Sequence, residues 1–369
     1  MDITIDALIR QNRVFAVYRL PYENNVHFIG QTKDSVRILS AIESLNGRNG
    51  FVIAPFCMSK TCPIVLIEPD EEYIFEAPDV IDDMPDCFTL RSSQFAMTGK
   101  TASYESKFNV FIKALKEKEF EKLVLSCCLT IPQKSGFSPE KVFYRACKQY
   151  IRSYVYLFHT PQTGTWIGSS PEVLLSGKEN QWHTVALAGT QPLRNGRLPE
   201  TWNEKNREEQ QLVTDYISDC LRSFNVCPEE EGPCSVQAGE LAHLKTDFRF
   251  SLHDNQTFGE LLNALHPTPA VCGLQKEQAF RFIIENEGYD RRYYSGFIGR
   301  LHPEDRTDLY VNLRCMQIED NRLLLYAGGG LLASSDLQEE WMEIEDKLLT
   351  MYRIIPDSRF QIPDSRFQI

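Results

Sequence analysis

Between Ser153 and Gly189 the sequence runs SYVYLFHT, GTWIGSSPEVLLSG and QWHTVALAG, three β-rich stretches broken by Gly, Ser and Asn. A parallel neighbour needs a crossover of about a dozen residues, usually a helix, and no helical pattern separates these stretches. They read as hairpins, hence antiparallel strands. The C-terminal part repeats the scheme. RRYYSGFIG, DLYVNLRCMQI and RLLLYAGGGLL read as strands, followed by a helix near Gln338–Tyr352. No alternating βαβ pattern dominates. The expected class is therefore α+β, with large antiparallel β-sheets and helices packed on their outer faces.

Helical spacing recurs at Tyr104, Phe108, Phe111, Ile112 and Leu115, with Ser103 placed to cap the helix. A second helix opens at SPEKVF, with Ser138 as cap and Pro139 at its first position. A long third spans Asn203–Phe224, with Leu212, Tyr216, Ile217, Cys220, Leu221 and Phe224 inward. The first 98 residues are poorly patterned, although RVFAVYRLP and CPIVLIEP look like strands ended by proline. They are taken as part of the same fold, ahead of a principal region at 99–354 that opens through the connection MTGKTAS. Nine acidic residues and no Lys or Arg lie between Glu68 and Asp86, which reads as a solvated acidic loop. The tail, 355–369, contains IPDSRFQ twice and has no core pattern, so it is expected to be disordered.

The net charge of −12, with no long basic run, repels nucleic-acid phosphates. An anionic small molecule remains possible through a local cluster of Arg, Lys or metal. No apolar run approaches the ~20 residues of a membrane span, and the N-terminus has no signal-peptide core. Eleven cysteines in no paired metal spacing fit reduced thiols and a cytoplasmic protein.

Several polar residues stand where chemistry is possible. Lys122 stands at the mouth of the apolar strand KLVLSCCLTI, where a lysine stem can simply pack while its charge stays in water. Glu172 follows GSSP and enters an apolar strand; burial would raise its pKa and suit it to donate a proton. Arg314 lies among apolar residues and needs an anion partner, either a ligand carboxylate or a core Asp. Glu340, Glu343 and Lys347 share one face of the last helix, an ordinary exposed pattern but for the upstream run Gly328, Gly329, Gly330. Glycine amides of that kind approach carboxylates or phosphates closely. Glu209 lies on the long helix; glutamates on separate helices can converge on Mg²⁺, and can equally line a solvated face. His243 and His266 are candidates whose bland reading is a hydrogen-bonded core histidine.

Taken in order, KLVLS, GSSPEVLL, ALAGTQPLR, KNREEQQLV, LAHLKT, LHPTPAVCG, ENEGYDRRYYSGFIG, NLRCMQI and YAGGGLLASSDLQEEWMEIEDKL resemble the chorismate-utilising enzyme family. The resemblance covers roughly Lys122 to Leu349. It implies chorismate as substrate and Mg²⁺ as cofactor. Glu209 and Glu343 would be metal ligands, with Glu340 close by. Arg314, Lys347 and the amides of Gly328–Gly330 would hold the substrate's two carboxylates. Ala188, Gly189 and Thr190 would line the ring pocket beside His243, and Glu172 would be the general acid.

Family members that add water carry lysine where this chain has Lys122, acting as general base. The resemblance therefore implies isochorismate synthase, for menaquinone or siderophore formation. Its rivals are salicylate synthase, which also eliminates pyruvate, an amine-adding synthase, and a catalytically inactive ligand-binding homologue. Water addition implies no glutaminase subunit, and a monomer or weak dimer is expected. Two departures stand out: Cys127 where relatives often have arginine, and Gln210 where many have histidine.

Overall fold

The computed structural model describes residues 4–33, 35–78, 102–193, 195–252 and 257–356. Most of the MTGKTAS connection, the acidic stretch beyond residue 78 and the repeated tail beyond Pro356 lie outside the described residues. In chain order the elements begin α1 (Ile5–Arg10), β1 (Val14–Arg19), β2 (Asn25–Gln31), β3 (Arg37–Leu39), β4 (Gly50–Ala54), β5 (Ile64–Ile67) and β6 (Glu71–Glu76). Next come α2 (Ala102–Lys116), β7 (Leu123–Pro132), α3 (Pro139–Gln149), β8 (Tyr154–Thr160), β9 (Gly164–Ser170), β10 (Val173–Lys178) and β11 (Gln181–Pro192). Then follow α4 (Glu204–Ser223), β12 (Glu229–Ala238), β13 (Leu241–Ser251), α5 (Phe258–Leu265) and α6 (Lys276–Asn286). The chain closes with β14 (Phe297–Leu301), β15 (Arg306–Val311), β16 (Cys315–Ile318), β17 (Arg322–Leu331) and α7 (Leu337–Tyr352).

The strands form two antiparallel sheets, ordered β6-β2-β1-β8-β9-β16-β17-β7 and β12-β13-β11-β10-β15-β14-β4-β5-β3. The N-terminal strands join both. Strand alternation explains how the sheets pack. On β1 and β8, Val14, Ala16, Tyr18, Tyr154, Tyr156 and Phe158 point into a core shared with Phe51, Ile53 and Tyr310 of the second sheet. The intervening Phe15, Val17, Val155 and Leu157 point outward, onto Phe111, Phe143 and Ile283 of the helices. A third core packs Val213, Ile217 and Leu221 of α4 and Leu261 of α5 on the second sheet. The expected class, antiparallel sheets with helices outside, is the observed one.

Several local expectations are corrected. DLYVNLRCMQI is not one strand: β15 ends at Val311 in one sheet and β16 starts at Cys315 in the other. Buried Asn312 makes the break, since its amide donates to Tyr293 O at 2.8 Å and its oxygen accepts from the Tyr156 hydroxyl. Arg314 then adopts φ +46°. GTWIGSSPEVLLSG splits the same way, β9 into one sheet and β10 into the other, with Pro171 and Glu172 between. RRYYSGFIG is strand only from Phe297, because Arg291 folds back on Glu287 and both Arg292 and Ser295 have positive φ. Ser103 lies inside α2 rather than capping it. On α4 Val213 is buried, whereas Leu212 is only half-buried. Glu71–Glu76, expected as loop, is edge strand β6, paired with β2.

The two sheet-to-sheet crossings touch. Val311 N donates to Glu172 O and Ser169 N to Arg314 O, both at 3.0 Å. The fold thus places Glu172 and Arg314 side by side at the seam between the sheets.

Candidate active site

A cavity opens at that seam. Ten residues singled out from the sequence line it: Glu172, Ala188, Gly189, Thr190, Glu209, His243, Arg314, Gly328, Gly330 and Lys347. Three of them share β11 because Gly189, at φ +71°, forms a bulge in its pairing with β13. Gly328–Gly330 are not a loop. They end β17, paired with Ser126, Leu125 and Val124 of β7. β16 stops pairing at Tyr326, so among the described residues no strand lies beside the opposite edge of the glycine run. A side chain at Gly330 would collide with Glu209 Oε1 and come within 2.9 Å of Lys122 Cε. Glycine there lets two charged groups press against the backbone.

One end of the cavity is cationic. Arg314 is buried, and among the described residues no carboxylate forms an ion pair with it. Instead its Nη2 donates to His243 Nε2 at 3.0 Å, and its Nη1 to Thr350 Oγ1 at 3.3 Å. His243 Nδ1 lies 2.9 Å from Gly189 O. An imidazole that accepts at Nε2 and donates at Nδ1 is neutral. Burial, then Arg314 and Lys347, push its pKa down to about 3. His243 is a neutral strut that aims the guanidinium. Lys347 Nζ donates to Gly328 O at 2.8 Å and to Glu343 Oε1 at 2.6 Å. Lys347 is thereby already paired, whereas buried Arg314, without an ion-pair partner among the described residues, needs an anion.

Glu172, 2% exposed, has its carboxyl raised to about 7. Burial dominates, opposed by a hydrogen bond from Thr268 and by the charges of Lys122, Lys347 and Arg314. Lys122 is not a snorkelling surface lysine. It is fully buried, with Nζ 3.1 Å from Glu209 Oε1. Burial lowers its pKa, opposed chiefly by Glu209.

Three carboxylates gather beside the glycine run. A side chain at Gly329 would meet Glu340 Oε2 at 3.4 Å and Glu343 Oε1 at 3.7 Å, while Gly330 faces Glu209. Burial raises the Glu340 carboxyl to about 7, and among the described residues its buried Oε2 has no hydrogen-bond partner. Although burial acts the other way, Lys122 and Lys205 hold Glu209 low, and Lys347 and Lys205 hold Glu343 low. Among the described residues no three His, Cys, Asp or Glu groups are already arranged around a metal position. Each of these carboxylates is drawn to a lysine instead. Their hard oxygens and the orphaned Glu340 oxygen fit a divalent cation such as Mg²⁺.

The sequence profile of chorismate binding enzymes matches residues 82–356. The chain belongs to the chorismate-binding enzyme family. Isochorismate synthase MenF of Haemophilus influenzae is 30% identical over 262 residues, covering 68% of this chain and 60% of that protein. The chain therefore spans less than two thirds of that curated relative. The menaquinone-specific isochorismate synthase of Escherichia coli superposes with a TM-score of 0.74 at 19% identity, over 93% of this chain and 89% of that one. Anthranilate synthase component I of Streptococcus pneumoniae gives 0.66 at 18% identity, over 92% and 90%. Proteins of both names share the fold, so side chains must separate the branches.

Sequence reasoning missed parts of the site of this chorismate-binding enzyme. Lys205 Nζ lies 2.8 Å from Glu340 Oε1 and 3.8 Å from Glu209 Oε2, a cation among carboxylates. Its spacing four residues before Glu209 could have signalled it. Gln210, noted only as a departure, accepts from Ala188 N at 2.9 Å and donates to Ala186 O at 3.1 Å. Asn206, one turn earlier, accepts from Thr190 N at 3.2 Å. These two amides of α4 hold the bulged strand in place. His266 does not line the cavity. It faces Pro55 O at 3.3 Å and packs edge-on against Phe297.

Proposed function

We propose that this chain is an isochorismate synthase, converting chorismate to isochorismate with Mg²⁺. The observation that carries the reading is a cavity-lining carboxyl, Glu172, that keeps its proton to about pH 7, with the fully buried Lys122 behind the lining and near enough for its charge to act on that carboxyl. The lysine's neutral amine is favoured by burial. A base and an acid with environments tuned in this way suit addition of water on one side and departure of hydroxide on the other.

Arg314 and Lys347, beside the free edge of Gly328–Gly330, receive the substrate's carboxylates. Lys122 removes a proton from water as its oxygen bonds to the ring carbon next to the carboxylate-bearing carbon. The ring double bonds shift, the C–O bond of the ring hydroxyl breaks, and Glu172 supplies the proton with which it leaves as water. One water enters and one departs, so the product is an isomer. Glu209 and Glu343, with Glu340 beside them, would hold Mg²⁺, which when bound would polarise and orient the ring carboxylate. A nucleophile made from water needs no ammonia-supplying subunit.

The test is product analysis by NMR after incubation with chorismate and Mg²⁺. Isochorismate is expected. Salicylate with pyruvate would assign the eliminating branch instead. Unchanged chorismate with folded, Mg²⁺-supplied protein would refute the enzymatic reading.

A further inference from the structure

The segment from His266 to Leu274 links α5 to α6 and touches the carboxyl of Glu172 and the backbone of Lys122. Near its start the buried Thr268 hydroxyl donates to Glu172 Oε1 at 3.2 Å. At its end it is laced to the start of β7. Val124 N donates to Cys272 O at 2.8 Å, and Leu274 N to Lys122 O at 2.9 Å. Leu123 and Gly273 form an antiparallel bridge between these bonds. Gly273 has φ +148°, and a side chain there would collide with Lys122 O. Between the two ends Ala270 and Val271 line the cavity. The span is a stiff turn, because Val271 N and Cys272 N both donate to Thr268 O at 3.0 Å.

A single guanidinium locks this turn to the strand. Arg291 Nη1 donates to Val271 O at 2.8 Å, and its Nη2 to Val124 O at 2.9 Å. Its other hydrogen bonds are to Glu287, at 2.6 and 2.7 Å, with both side chains almost wholly buried. Glu287 Oε1 also accepts from Ser126 N at 2.8 Å. The pair thus bonds to β7 at Val124 and Ser126. A planar fork reaches two carbonyls and both oxygens of a carboxylate through four fixed donors, one more than an ammonium has.

We propose that His266–Leu274 is a rigid yoke fixing the acid relative to the base, with Thr268 positioning Glu172 and Arg291 locking the yoke onto the Lys122 strand. This rests on the functional reading above. Holding the fold together requires no hydroxyl at residue 268. The hydroxyl's partner is the reacting carboxyl itself. A donor on Oε1 leaves Oε2 to carry the acidic proton, so Thr268 selects which oxygen delivers it. The other charged groups facing Glu172 are Lys122 at the head of β7, Lys347 on α7 and Arg314 at the crossing, all cations.

The experiment compares kcat, KM and their pH profiles for the full-length protein, Thr268→Val, Thr268→Ser and Arg291→Lys. Thr268→Val should lower kcat about tenfold, the weight of one hydrogen bond to an ionisable group, with KM within about threefold. Its basic limb should move to higher pH, because a bond that favours the carboxylate is gone and the acid holds its proton longer. Thr268→Ser should restore both. Arg291→Lys should lower kcat with KM kept. Native kcat and an unmoved limb in folded Thr268→Val would overturn the proposal. If that variant does not fold, Thr268→Cys keeps a donor at the same position but a weaker one, and the same two readings decide. Native protein that leaves chorismate unchanged would instead remove the functional reading beneath it.

Discussion

Replacing Glu172 with glutamine tests the general acid through stability as well as rate. Burial moves this carboxyl from an ordinary 4.5 to about 7. Below the lower value the group is neutral in folded and unfolded chains, and its contribution to folding is intact. As pH rises, the unfolded chain releases the proton first and gains the hydration of its carboxylate. The folded protein therefore loses stability up to and through pH 7. The full displacement corresponds to about 3 kcal/mol, of which about 2 kcal/mol falls between about pH 5.5 and pH 8.5. Glutamine has the same shape and no proton to lose. Its stability relative to the native protein should thus improve by about 2 kcal/mol across that interval, as read by urea unfolding at both pH values. Turnover should fall ~10²–10⁴-fold while chorismate still binds. A stability difference that does not change with pH would mean the native carboxyl is already ionised. It could not then be the proton donor.

Lys122→Gln should lose ~10²–10⁴ in isochorismate formation with the fold intact, whereas amination at high ammonium and alkaline pH should suffer much less, since ammonia needs no base. Near-native isochorismate formation would place the base elsewhere. Glu343→Gln should weaken Mg²⁺ binding, measured by calorimetry without substrate, by about tenfold or more, because it removes a hard charged donor; an unchanged affinity would move the metal site. Gly330→Ala should abolish turnover, because its methyl collides with Glu209 Oε1 and crowds Lys122 Cε; a fully active variant would show that these groups do not sit against the strand.

The architecture was legible because alternation, turn residues and short breaks are local signals. Ser138 and Pro139 followed from capping chemistry, and the bounds of α4 from its inward apolar residues. The split strands were not legible. In VNLRC, Asn312 and Arg314 alternate with apolar residues as they would along one strand, and in SSPEV Pro171 and Glu172 sit inside a single β-rich run, so neither signals the change of sheet. Glu172 and Arg314 were singled out for being polar in apolar runs, and both sit at the crossing itself. Lys205, Thr268 and the Glu287–Arg291 pair stayed hidden because their partners lie far away in sequence or across a turn. Glu287 and Arg291 look like an ordinary helix-spaced pair; what distinguishes them is complete burial, which only packing determines.

The most direct measurement follows the oxygen. The native protein should be given chorismate and Mg²⁺ in water enriched in the heavy oxygen isotope, and the product read by NMR and mass spectrometry. Attack by a Lys122-activated water predicts isochorismate carrying one solvent oxygen, at the ring carbon beside the carboxylate-bearing carbon. Isochorismate whose new hydroxyl is unlabelled would mean the original hydroxyl migrates, and the proposed acid–base pair would be wrong.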